Sequence, residues 1–333
     1  MKLLTHYQQI PSDQWDALVE SSHVTSWFQT REAYNFFDSL SFMEPFVYGV
    51  SDEGKLVCLT VGYLQGDGGW LKQKLSRRAI IVGGPLLTSQ TSEAHLSAML
   101  SALRENLRQR CIYIESRNLN DYSSWKSVFE ANGFAYHAHL NFHLDTTTLD
   151  IINSNLSRTR KRHIHVGLRD GATLETASSE SDIDEFYNIL LDLYKTKVKK
   201  PLPPPEFFHK LHQLASAKIL VVKYNKQVIG GMAYVCLDKK VGYEWYVCGK
   251  DEAFKTLYPS ELATYAGIQA TADNGCPRFD FMGAGKPGVE YGVRNFKALF
   301  GGTLVEHGRF LFTCRPLIYN AGKLFMKIIS NAK

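Results

Sequence analysis

With 333 residues, 44% hydrophobic and 21% charged, the chain is long enough for two ordinary cores and too apolar to remain disordered. It opens without an apolar leader, and no uninterrupted apolar run approaches the ~18 residues of a membrane span, so a cytoplasmic protein is expected. The six cysteines are scattered without a C-x-x-C pair, which reads as reduced thiols and indicates neither a disulfide framework nor a metal site. The net charge of +5 is local. Arg158, Arg160, Lys161, Arg162 and Arg169 lie between Ile151 and Arg169 with no acidic residue among them, a patch that attracts anions.

In chain order, Ser12-Asp13-Gln14-Trp15 reads as a helix start, and Thr30–Leu40 carries Tyr34, Phe37 and Leu40 at helical spacing. Strands are predicted over Pro45–Val50 and Lys55–Leu64 about a turn at Ser51-Asp52-Glu53-Gly54. Next come a strand Arg78–Val82 ended by Gly83-Gly84-Pro85, a helix Ser92–Arg108, a strand Cys111–Glu115, a helix Tyr122–Asn132 and a strand Phe134–Leu144. The second half repeats the order. Helices are predicted over Ile151–Leu168 and Ser181–Lys195, then a proline break from Pro201 to Pro205 and a helix Glu206–Ala215. A hairpin, Ile219–Tyr224 and Gln227–Leu237, turns at Asn225-Lys226. It is followed by strand Val241–Cys248, helix Ser260–Asn274, strand Arg278–Met282, helix Tyr291–Phe300 and strand Thr303–His307. Each half reads as helices, an antiparallel hairpin, then strand–helix–strand–helix–strand. This is an α/β (mixed α+β) protein made of two similar units, 1–148 and 149–333, with the boundary near Thr146–Asp150.

The run Asn155-Leu156-Ser157-Arg158-Thr159-Arg160-Lys161-Arg162-His163 resembles the basic helix that opens the second domain of the Fem-type peptidoglycan-bridge aminoacyltransferases. Phe279-Asp280-Phe281-Met282-Gly283-Ala284-Gly285, followed by Asn295-Phe296-Lys297-Ala298-Leu299-Phe300-Gly301-Gly302, is similar to the "DF-x-G … FK-x-x-FG" signature of the same group. Arg78–Pro85 is similar to its strand before a Gly-Gly-Pro turn. The resemblance runs through almost the whole chain. It implies tandem GNAT folds, an acyl- or aminoacyltransferase with its chemistry in the second domain, and no tightly held cofactor. The co-substrate is then acyl-CoA or aminoacyl-tRNA, and the acceptor an amine of a phosphorylated cell-envelope precursor. The alternatives are an acyl-CoA-dependent N-acetyltransferase on a small amine, and a GNAT-fold binding protein without turnover. The sequence names neither the acceptor, the transferred group nor the oligomeric state.

By the resemblance, Phe296 packs the transferred group and Lys297 stands at the donor site, where a fixed cation stabilises the carbonyl oxyanion. Asp280, between Phe279 and Phe281, is placed by alternation towards solvent or a cleft, to orient or deprotonate the amine, or else to pair with Arg278 or Lys286. The Gly249–Ser260 connection lacks the usual Gly-rich loop. Lys255 can meet a phosphate there and Ser260 can cap the following helix, while Pro259 removes one N–H, so coenzyme A is permitted without being signalled. Tyr243 and Trp245 share one strand face, Glu244 and Tyr246 the other, and one face is assigned to the acceptor channel. Gly283-Ala284-Gly285-Lys286-Pro287-Gly288 matches G-x-G-x-x-G but lacks the βα units of a dinucleotide fold, so it reads as a turn that lets Lys286 or Tyr291 cover the site. Arg158, Arg160 and Arg162 are assigned to donor or acceptor phosphates, with Lys195, Lys197, Lys199 and Lys200 as a second basic cluster. At the C-terminus Leu317, Ile318, Ala321, Leu324, Phe325, Ile328 and Ile329 form one stripe with Lys323 and Lys327 off it, either docked on the second domain or lying on a membrane surface.

Overall fold

The computed structural model describes residues 1–66 and 76–331, with side chains in the last helix as far as Leu324. The first unit begins with β1 (Lys2–Leu4), α1 (Ser12–Ser21) and α2 (Arg31–Ser39). The hairpin β2 (Met43–Asp52) and β3 (Lys55–Gln65) turns through Glu53 and Gly54, both at positive φ (48° and 80°), the geometry whose twist matches a two-residue hairpin. There follow β4 (Arg78–Gly83), β5 (Leu86–Leu87), α3 (Glu93–Leu107), β6 (Tyr113–Asn118), α4 (Lys126–Ala131) and β7 (Ala135–His137). The Gly83-Gly84-Pro85 turn has a packing reason. The Tyr122 hydroxyl lies 2.9 and 2.7 Å from the carbonyls of Gly83 and Pro85, and a Cβ on Gly84 would stand 2.6 Å from that ring.

The second unit comprises β8 (Leu140–Asp145), α5 (Leu149–Asn155), α6 (Arg158–Arg169), β9 (Thr173–Thr176), α7 (Glu180–Leu193), α8 (Pro205–His212), β10 (Ala217–Tyr224), β11 (Gln227–Leu237), β12 (Val241–Gly249), α9 (Pro259–Asp273), β13 (Arg278–Asp280), α10 (Gly292–Ala298) and β14 (Thr303–Glu306). The chain closes with β15 (Arg309–Thr313) and α11 (Pro316–Asn331). Asn225 and Lys226 both take positive φ (49° and 67°), as the second hairpin turn requires. Two expected elements divide. The single helix over Ile151–Leu168 is two, because Leu156 is extended and the Ser157 side chain accepts from Arg160 N to start a new helix. The single strand over Phe134–Leu144 is also two, β7 and β8, one in each sheet.

That second division carries the topology. The first sheet runs β1-β2-β3-β4-β6-β15-β7, and the second, read from its other edge, runs β9-β10-β11-β12-β13-β8-β14. The orders are the same, and each contains a parallel pair at the same place, β4 with β6 and β12 with β13. In both, the penultimate strand comes from the other half of the sequence. β15, from the end of the chain, pairs with β6 and β7. β8, which precedes the second half, pairs with β13. The compact units are accordingly 1–138 with 306–333, and 139–305. The boundary expected at Thr146–Asp150 falls one strand late, and the C-terminal segment belongs with the first unit. Among the described residues no helix is long and apolar enough to cross a membrane.

Candidate active site

Strands β12 and β13 are paired only from Val241 to Tyr243 against Arg278 to Asp280, while β12 continues to Gly249. Beyond Tyr243 the sheet is unzipped on that side. The other side of β12 is distorted at the same level: Tyr234 opposes Glu244 and Ala233 opposes Tyr246, leaving Trp245 as an extra residue. This bulge defeats the expected alternation. Trp245 and Tyr246 both pack against Phe207, with ring centroids 4.9 and 5.8 Å away. Tyr243 is fully buried, so it belongs to the core and not to an acceptor channel shared with Trp245.

Glu244, just past the last paired residue, is 3% exposed, and Lys297 on α10 is 7% exposed. Lys297 Nζ lies 2.9 Å from Glu244 Oε1, 2.6 Å from the Phe281 carbonyl and 3.0 Å from the Gly283 carbonyl. An ammonium has three N–H groups, and each has an acceptor. Burial pushes the Glu244 carboxyl up, and the Lys297 charge opposes that shift. One turn before Lys297, Arg294 donates to the carbonyls of Ala284 (2.8 Å), Val289 (3.0 Å) and Lys286. Two cations on one helix face therefore clamp the glycine-rich turn, in which Gly283, Gly285 and Gly288 take positive φ (131°, 79° and 70°). It is a loop, as the sequence indicated, and Tyr291 lies against Gly285 within it.

Asp280 is buried, contrary to the expected cleft-facing carboxylate. Asn141 Nδ2 and Met282 N each donate to its Oδ1 at 2.7 Å, and His143 Nε2 lies 3.1 Å from its Oδ2. Burial alone would raise its pKa, but His143, Arg278 and Asn141 together hold it below the usual range. Asp280 thus fixes the start of the turn and orients His143, the more exposed member of the pair. Asn141 and His143 come from β8, and sequence reading missed both. Their alternation around Phe142 was the available signal, and it was assigned to the wrong unit.

Of the three arginines assigned to phosphates, Arg160 is only 1% exposed. It pairs with Glu261 on α9, donates to the Phe296 carbonyl at 3.0 Å, and lies 4.5 and 4.3 Å from the ring centroids of Phe296 and Phe300. Glu261 also holds His163 Nδ1 at 3.0 Å, and the His163 ring stacks on Tyr258 at 3.8 Å. The Arg160 guanidinium therefore binds α6, α9 and α10 together through its two terminal nitrogens. Arg158 and Arg162 are exposed and remain available to an anion. Arg160→Ala should lower stability by about 3–5 kcal/mol because it strips a buried ion pair. Arg158→Ala and Arg162→Ala should stay within roughly 0.5 kcal/mol of the parent. Chemical denaturation reads all three, and an unchanged midpoint for Arg160→Ala would remove this assignment.

The remaining candidates do not gather at one point. Lys199, Lys200 and Lys255 are exposed, and Lys199 ends a π turn at φ 53°. Phe296 is half-buried against Phe300. Ser260 does not cap α9. Tyr258 occupies the cap in left-handed conformation, Pro259 follows, and Ser260 donates both its N–H (2.9 Å) and its hydroxyl (2.6 Å) to Asp251. The next two N–H groups, of Glu261 and Leu262, go to the Tyr258 carbonyl. Beside this end of α9 lies a cavity of about 840 Å³ whose lining includes Asp192, Lys197, Gly249, Lys250, Glu252 and Ser260.

Residues 153–297 match the family model described as the acetyltransferase (GNAT) domain, and the two sheets have the same strand order. The chain has the tandem GNAT fold. FemX shares it with a TM-score of 0.72 at 13% identity, over 96% of this chain and 99% of that one. The C-terminal domain of a protein described as a lysylphosphatidylglycerol synthetase, from Agrobacterium fabrum, shares it with a TM-score of 0.57 at 13% identity, over 94% and 95%. A tandem GNAT protein from the clavulanic acid biosynthesis pathway follows with 0.55 at 10%, over 94% and 99%. No curated protein sequence matches the chain significantly. The fold implied by the Fem-type resemblance is the one observed, and the signature residues Asp280, Phe296 and Lys297 lie within the GNAT-matched segment.

Proposed function

We propose that this GNAT-fold chain is an acyltransferase that moves an aminoacyl group from an aminoacyl-tRNA ester onto an amine of a phosphorylated cell-envelope precursor. The observation that carries the reading is the buried Glu244–Lys297 pair at the point where β12 and β13 part. In such a transfer the neutral amine attacks the ester carbonyl, an amide bond forms, the ester C–O bond breaks, and a proton passes from the attacking nitrogen to the departing ribose oxygen. Negative charge gathers on the carbonyl oxygen meanwhile, and a fixed cation in a water-poor site stabilises it. An oxyanion reaches Lys297 by replacing the Gly283 carbonyl, the longest and least enclosed of its three contacts.

The geometry at the start of α9 supports the choice of an ester donor. A coenzyme A pyrophosphate would need the N–H groups and positive end of that helix, but Pro259 has no N–H and Asp251 already holds Ser260. A second anion there meets a carboxylate. An ester donor makes no such demand. The cell-envelope acceptor rests on the Fem-type signature and on the fold shared with FemX. The protein is tested with a pool of charged tRNA, or with acetyl-CoA, and with a nucleotide-linked envelope precursor bearing a free amine. RNase-sensitive amide formation is expected, with no thiol released from acetyl-CoA. Thiol release would move the assignment to an acyl-CoA N-acyltransferase, and binding without product from either donor would make the chain a silent GNAT-fold binding protein.

A further inference from the structure

We infer that α11 is an interfacial helix that docks on an anionic lipid surface. It belongs with the first unit and is attached there by its first turns. Arg315 donates to the Gln109 carbonyl at 2.7 Å, and the Tyr319 ring meets Tyr113 edge-on at 5.6 Å. Of the apolar stripe read from the sequence, Ile318 is half-buried, whereas the residues at 317, 321 and 324 stay uncovered. Leu317 is 87% exposed and Leu324 62% exposed, and Ala321 between them is exposed as well. Residues 317, 321 and 324 stand one above another on a helix, so these side chains form a single ridge facing water. Phe325, Ile328 and Ile329, which continue the stripe, lie outside the described side chains.

Charge selects the occupant. From Cys314 to Lys333 the sequence contains Arg315, Lys323, Lys327 and Lys333 and no aspartate or glutamate. Lys323 is exposed and sits off the apolar ridge, its ammonium 5.2 Å from the Tyr319 ring centroid. A second copy of the same helix would bring like charges together. A bilayer carrying negative headgroups accepts both components at once, the leucines below the headgroups and the lysines among them. This inference does not depend on the transferred group.

The full chain is floated with vesicles of phosphatidylcholine alone and of phosphatidylcholine mixed with phosphatidylglycerol. Flotation is expected with the anionic vesicles, weakening at high salt. Leu317→Glu/Leu324→Glu should reduce the bound fraction about tenfold through loss of apolar insertion and added repulsion, while leaving turnover on a soluble acceptor unchanged. Lys323→Glu changes an exposed side chain whose one described contact is with the Tyr319 ring, and it should weaken flotation in the same direction, so the inference stays testable if the double variant misfolds. Arg158→Ala/Arg162→Ala should float like the parent. The inference is overturned if the parent does not float with anionic vesicles, or if the leucine and lysine variants float as well as it does. It is also overturned if the parent sediments as a dimer that these substitutions dissociate, since a second copy is then the occupant.

Discussion

Lys297→Met is expected to lose turnover by roughly a hundredfold or more, corresponding to about 3–4 kcal/mol of transition-state stabilisation. It should also destabilise the protein by about 3–5 kcal/mol, because Glu244 is left as an unpaired buried charge. The two effects must be separated, since Lys297 both clamps the turn carbonyls and faces the opened sheet. Adding Glu244→Gln removes the orphaned charge. If Lys297 is catalytic, the double variant regains much of the stability and none of the turnover. Recovery of both would reduce Lys297 to a structural clamp. The pH dependence has a definite sign. The folded-state pKa of Glu244 is raised by burial against the pull of Lys297, and losing Lys297 raises it further. A carboxyl raised on folding contributes stability that is present below its unfolded pKa of about 4.3 and is lost as pH rises through the folded value. The stability gap between parent and Lys297→Met should therefore be narrow near pH ~4 and widen towards neutrality, read by thermal melts across that range.

Much of the fold was legible in the sequence because it is local. Each hairpin announced itself through one turn residue suited to positive φ, Gly54 and Asn225, and α3 and α9 through helical patterning. The breaks that were missed are those where local pattern is silent. Ser157 is an ordinary helix residue until its side chain is seen accepting from Arg160 N, and nothing in Phe134–Leu144 marks the two residues between β7 and β8 as a change of sheet. The geometry of the candidate site was only partly legible. The signature pointed to Phe296, Lys297 and Asp280, yet charge alone could not separate Arg160, enclosed between two phenylalanines, from its exposed neighbours Arg158 and Arg162. Alternation misplaced Trp245 because a bulge resets the period of two. It also could not foresee that Asp280 would be sealed by side chains more than a hundred residues earlier.

Cutting the chain at its apparent sequence boundary is expected to unfold both halves. The 1–148 fragment lacks β15, which stands between β6 and β7 and pairs with both. It would leave the three-residue β7 without a neighbour and expose the face of Phe129 on which Phe310 stacks at 3.9 Å. Burying Phe310 and Leu311 contributes about 1.5–3 kcal/mol each, a large part of the 5–15 kcal/mol by which a domain is typically stable. The 149–333 fragment lacks β8 and with it Phe142, Leu144, Asn141 and His143, so Phe279 and Phe281 lose their cover and Asp280 its partners. A fragment cut by topology instead, 139–305, keeps every strand of its sheet except the last residue of β14. It should be soluble and melt cooperatively, whereas 149–333 should not. Co-expression of 1–148 with 149–333 should restore soluble protein, each half receiving its missing strand from the other. Cooperative melting of 149–333 at the same temperature as 139–305 would show that β8 is dispensable and that the two units are divided where the sequence suggested.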